Sequence, residues 1–220
     1  MPNERKTGNE TEEDRVVQWL MDIVEFVKEK RQIFLGVLIG IVALVIVANM
    51  VSASREEAKA NATTLLGDIL VAEGSAQPEE AIRLCEKLID EYPRTPAANQ
   101  GVLLLANRYY SQDRHDDALQ MYERVLADAG ENEILVFAAW SGIAACYEAQ
   151  GKLLKAARKY EDYAANHPES FQSSLALMEA ARCFAISGDE AAQLRALKRV
   201  TTEFADSPVA ARAQLEINML

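Results

Sequence analysis

Residues 137–168 read FAAWSGIAACYEAQGKLLKAARKYEDYAANHP, and the fold turns on the spacing inside this stretch. Trp140, Ile143, Ala144 and Tyr147 recur at helical intervals. Gly151 interrupts them, and Ala156, Tyr160 and Tyr163 resume the same period until Pro168 stops it. The pattern predicts two short helices joined by a tight turn. Antiparallel helices approach closely only where small side chains meet, which accounts for alanines at fixed places. Aromatic side chains then fill the space towards a neighbouring unit.

The landmarks return up and down the chain. Aligning residues 99–136, 137–173 and 174–211 places Ala106, Ala144 and Ala181 in one column, with Tyr109, Tyr147 and Phe184 three residues later. Ala118 and Ala156 share a second column, followed by Tyr122 and Tyr160, and Gly151 and Gly188 fall between the helices. The frame reaches back to Ala62, where Ala81, Cys85, Leu88 and Pro93 fill the slots of the second helix. Two further segments match each other, Lys87–Pro96 and Arg199–Pro208. A unit of this size cannot bury its apolar face alone, so stacking of units creates the core.

On Trp140, Ile143, Ala144, Tyr147, Gly151, Ala156, Tyr160 and Pro168, the unit at 137 resembles the tetratricopeptide repeat. The unit at 99 follows, with Gly130 in place of the terminal proline, and the unit at 174 departs with Gln193 where alanine is expected. The first unit has a degenerate first helix, because residues 55–72 read as a continuation of the helix before it. Residues 208–219 read as a capping helix. The resemblance implies an α-solenoid of three to four helix pairs and the cap; with the apolar segment before it, read below as one N-terminal transmembrane helix, the chain is expected to be all-α.

Charge excludes one large class of function. The chain has 220 residues, half of them hydrophobic, with 23 Lys plus Arg against 34 Asp plus Glu and a formal net charge of −11. Such a surface offers no footprint to a phosphate backbone, so no nucleic-acid partner is expected. Chemistry is also thinly supplied. There are two histidines, His115 and His167, and neither has a second ligand at metal-binding spacing, so both read as exposed loop residues. No phosphate-cradling loop, nucleophile elbow or His-Glu-x-x-His occurs. Cys146 and Cys183 hold the same slot of successive units and Cys85 an aromatic slot, so all three read as buried packing residues and not as a disulfide framework. The pairs Asp116/Asp117 and Glu79/Glu80 fall at helix starts, where carboxylates suit the helix dipole. The expectation is a protein without catalytic residues, metal, cofactor or small-molecule substrate.

The other strong signal lies near the N-terminus. Ile33–Val51 holds no charge, and Asn49 is its one strongly polar side chain. As a helix it spans roughly 28 Å, close to the hydrocarbon thickness of a bilayer. The rival is a cleavable signal ending near Val51-Ser52-Ala53, but the apolar run is longer than usual and a charged segment precedes it. No cysteine lies at the membrane exit to accept a lipid. Arg15, Lys28, Lys30 and Arg31 precede the span and Arg55 and Lys59 follow it, which favours a cytoplasmic N-terminus. Gly36 and Gly40 form a Gly-x-x-x-Gly pair suited to close packing with another transmembrane helix. Thr11-Glu12-Glu13-Asp14 reads as a helix start. Val16, Leu20, Ile23, Val24 and Val27, with Trp19 and Phe26, then form an apolar stripe, and Asp22, Glu25 and Glu29 argue against simple adhesion to anionic lipid. Three segments result: 1–32 cytoplasmic, 33–52 transmembrane, and 53–220 as the repeat domain.

The repeat resemblance further implies a concave groove lined by the first helix of each pair. Its usual groove positions carry over to Leu103, Asn107, Tyr110, Ala138, Ser141, Ala145, Glu148, Leu175, Met178, Arg182 and Ile186. One Asn and one Arg are too few for the version that clamps a C-terminal carboxylate. The remainder suits an apolar helix or extended segment of another protein, with Tyr110 and Met178 as adaptable contacts. The layout of cytoplasmic segment, single span and acidic repeat domain is similar to the YfgM-like ancillary subunits of the bacterial SecYEG translocon. That similarity implies an inner-membrane adaptor with an extracytoplasmic, periplasmic repeat domain that meets translocon subunits, periplasmic chaperones or secretory chains. The alternative is a structural scaffold that coordinates envelope-assembly proteins.

Overall fold

The computed structural model describes residues 15–21, 25–26, 30–130 and 132–220, the Phe34 side chain excepted. Among the described residues every regular element is a helix. These are α1 (Arg31–Gly74), α2 (Pro78–Glu91), α3 (Pro96–Ser111), α4 (His115–Asp128), α5 (Glu133–Ala149), α6 (Leu153–Asn166), α7 (Gln172–Ser187), α8 (Glu190–Glu203) and α9 (Ala210–Met219). The chain divides into two compact units, residues 1–56 and 57–220.

In the first unit, residues 15–21 are helical and expose Val16, Trp19, Leu20 and Met21. The expected helix start at Thr11–Asp14, together with Asp22, Ile23, Val24, Val27, Lys28 and Glu29, lies outside the described residues. The apolar part of α1 is long enough to cross a membrane, by length and composition, and its side chains are exposed. Gly36 and Gly40 face open space, with nothing within 4 Å of an added Cβ.

The second unit is a solenoid of helix pairs. From α2 to α9 each helix packs on the next, and α3 also touches α5 and α5 touches α7. Local chemistry sets the helix starts. Pro78 and Pro96 occupy first-turn positions that need no N–H donor. The side chains of Thr95, Asn132 and Asp189 accept hydrogen bonds from the Ala98, Leu135 and Ala192 amides at 3.2, 3.1 and 2.9 Å.

The turns confirm the register at the backbone. The residue between the helices of each pair is left-handed in all four units: Ala76 at φ 52°, Asp113 at 59°, Gly151 at 72° and Gly188 at 79°. Only the last two are glycines, so the first two turns carry a backbone cost that the others avoid.

The alanine columns are the contact lines between helices. Ala106, Ala144, Ala181, Ala118 and Ala156 are all fully buried. Tyr122 on α4 is the wedge between two units. Its ring lies against Gly142 of α5, where an added Cβ would overlap it, and its hydroxyl donates to Asn107 Oδ1 on α3 at 2.7 Å. Two apolar clusters result, one from Ala62 to Cys146 and one from Ala144 to Ala213, with Val136 and Tyr147 packed against both. In the divergent last pair, Ala192 is the buried small residue and Gln193 is half-buried, so the alanine contact is kept one residue early.

Ala76→Gly should raise the stability of the repeat unit by about 1 kcal/mol in urea unfolding, and Gly151→Ala should lower it by a similar amount. Gly142→Ala should cost roughly 1–3 kcal/mol by displacing the Tyr122 ring. Unchanged midpoints would mean that these turns and this wedge do not set the register.

Candidate partner-binding groove

The first helices of the pairs, α3, α5 and α7, lie side by side and carry the expected groove residues. On the central helix, Ala138, Ser141 and Ala145 are half-buried and small, which makes α5 a low floor. On α3, Leu103 and Tyr110 are half-buried and packed against the first cluster. Asn107 is exposed, but its carbonyl oxygen is already engaged by the Tyr122 hydroxyl. On α7, Leu175 is half-buried and Ile186 is 59% exposed.

Met178 departs from expectation. It is 7% exposed and belongs to the second core cluster, so it is a packing residue and not an adaptable groove contact. The neighbouring Glu179 takes the outward position instead.

The charges of this face form one network. The Arg182 guanidinium donates to both carboxylate oxygens of Glu148, at 2.9 and 2.7 Å, and from Nε to Glu179 at 2.7 Å. The Tyr160 hydroxyl reaches Glu148 at 3.4 Å. Burial opposes the charge on Arg182, but its bonds to Glu179 and Glu148 win and hold its pKa above the ordinary value. The Tyr160 hydroxyl moves up as well, first through burial and then through Glu148. Arg182 and Glu148 belong to different units, so this bridge ties α7 to α5. An equivalent tie nearer the start joins Arg108 of α3 to Glu73 of α1, both partly buried.

The histidines are not the exposed loop residues expected from the sequence. The His115 side chain is 18% exposed, lies 5.4 Å from the Tyr110 ring, and leaves its Nδ1 buried without a hydrogen bond. His167 stacks on Tyr163 at 4.7 Å. Each imidazole covers a tyrosine, a role that helix-terminal position alone does not reveal.

All three thiols are buried and unpaired, as expected. Burial, with Glu86 adding to it, pushes Cys85 up to about 12; burial and Asp116 push Cys146 to about 11; burial and Glu148 push Cys183 to about 12. Burial thus keeps the three thiols protonated near neutral pH, which disfavours the reactive thiolate. The face of α3, α5 and α7 therefore offers small side chains and one charge network.

Helix pairs stacked one on the next define an all-α repeat solenoid, a class of fold that generally serves as an interaction scaffold. More particularly, the chain belongs to the tetratricopeptide repeat-like domain family, whose profile matches residues 25–178. Among solved structures it is similar to nearly identical TPR-like repeats of a Podosopora anserina protein described as a kinesin light chain. Two crystal structures of those repeats, one of them with a Gln-to-Met substitution, each match at 18% identity and a TM-score of 0.54. Each match covers 72% of this chain and 84% of the other. At that identity the likeness is one of fold. No curated protein matches the chain.

Two measurements follow from the thiols. A thiol reagent near neutral pH should label none of Cys85, Cys146 and Cys183 until denaturant is added. Because the folded pKa values lie above the ordinary 9.0, stability from these groups is intact below pH 9 and should fall as pH rises towards 11–12. Rapid native labelling of any one would place that thiol at the surface.

Proposed function

We propose that this protein is a membrane-anchored adaptor whose repeat domain binds polypeptide or chaperone partners outside the cytoplasm, ancillary to the protein-secretion translocon. Residues 33–52 anchor it, residues 1–32 stay in the cytoplasm, and residues 53–220 carry the groove. The observation that carries this reading is the open face of α3, α5 and α7, lined by small and apolar side chains, in a chain that also holds a helix of membrane-spanning length. Helix-in-groove recognition needs such a surface: a floor low enough for close approach and apolar side chains to cover. The basic residues before the apolar run support the orientation. The translocon itself enters through the resemblance of layout.

A second reading, a scaffold in envelope assembly, draws on the end of the solenoid. There α9 buries Ala213 but leaves Leu215 64% and Met219 77% exposed. An apolar end of this kind suits a stoichiometric partner over a transient client.

A photo-crosslinking residue in place of Tyr110, in the full-length protein in native membranes, tests both. Adducts with translocon subunits, extracytoplasmic chaperones or a spread of secretory chains are expected. One dominant envelope-assembly protein would establish the scaffold, and cytoplasmic adducts would overturn the orientation.

A further inference from the structure

The groove is not electrically neutral. Arg182 is one guanidinium held between two carboxylates, Glu148 and Glu179, and among the described residues neither carboxylate has another ion-pair partner. The network therefore carries one net negative charge. A staple between α5 and α7 needs only the Arg182–Glu148 bond, in which Glu148 is the shielded partner at 19% side-chain exposure. Glu179 adds nothing to that tie, since it lies on the same helix as Arg182, and at 46% exposure it keeps its excess charge open to solvent.

Its position gives the excess charge a use. Leu175, Glu179, Arg182 and Ile186 follow one another at intervals of four, three and four residues, so they share one face of α7. Apolar side chains thus flank the charge network along the helix, and the small residues Ala138, Ser141 and Ala145 of α5 lie beside it.

We propose that the Glu148–Arg182–Glu179 network makes this groove selective for an apolar polypeptide segment bearing a positively charged residue. The inference rests on the reading of this face as a peptide-binding groove. A lysine or arginine beside Glu179 restores neutrality, while the segment's apolar side chains cover Leu175 and Ile186. A carboxylate at the same place adds a like charge to a surface that already has one too many, and discrimination against it follows from that repulsion. The acidic body of the domain acts in the same direction at longer range, steering cationic segments towards the groove at low salt.

The test uses the full-length protein in zwitterionic nanodiscs, with empty nanodiscs as the reference. The probes are a short fluorescent Ala/Leu peptide with one central lysine, the same peptide with glutamate there, and a lysine version with serine replacing leucine. At low ionic strength the lysine peptide should bind about tenfold more tightly than either relative. In Glu179→Gln, which keeps the Arg182–Glu148 tie and should retain the native circular dichroism, the lysine-to-glutamate ratio should fall to about threefold or less. Equal binding of the lysine and glutamate peptides to the wild type would overturn the charge selection and leave the groove reading standing. A preference that survives Glu179→Gln unchanged would overturn the role of the network. Binding of neither Ala/Leu peptide would remove the groove reading, and this inference with it.

Discussion

The rest of the repeat domain depends on the contact between alanine columns. Ala106, Ala118, Ala144 and Ala156 are all fully buried, and helices whose buried positions are alanines can close to a short interhelical distance because no side chain extends past its Cβ. Close pairs leave their aromatic side chains nowhere to go but outward, into the next pair. Tyr122 shows the consequence: it reaches over Gly142 of the following helix and is anchored at its tip by Asn107 of the preceding one. One residue thereby couples three helices, the kind of contact between neighbouring units on which a repeat stack relies.

The columns were legible because they repeat, and repetition shows in a single sequence. The turns were half legible. Gly151 and Gly188 announce left-handed positions, but Ala76 and Asp113 adopt the same conformation without the residue that signals it. Tertiary packing fixes those turns against local preference. The first helices of the pairs were legible as elements, but the exposure of their individual side chains was not. Met178 occupies a position that faces the groove in an idealised repeat, yet it sits in the core, which displaces the outward role to Glu179. The histidines were misread for a related reason. Their neighbours Tyr110 and Tyr163 lie four or five residues away in sequence, and contact between them depends on how the helix ends turn.

The Arg182–Glu148 bridge belongs to a third kind. Its partners stand 34 residues apart, in adjacent units, and composition or motif searching does not link them. The repeat register does connect them in principle, because both residues fall on groove-facing positions of neighbouring first helices. What the register cannot supply is the choice made by a long side chain with several acceptors in reach. Arg182 commits to Glu148 across the groove as well as to Glu179 on its own helix, and that double commitment creates the charge imbalance.

The same bridge bears on how firmly such a groove can hold a partner. Part-exposed ion pairs contribute little to stability, so the network does not hold the solenoid together; the alanine and tyrosine contacts do. Electrostatics is then free to serve recognition at small cost to the fold. On the proposed reading, with the floor built from alanines and a serine, affinity would come from apolar area and discrimination from one excess carboxylate. Binding of that kind is broad in sequence and narrow in character, which suits an adaptor that meets many polypeptides sharing a pattern of charge and hydrophobicity and no fixed sequence.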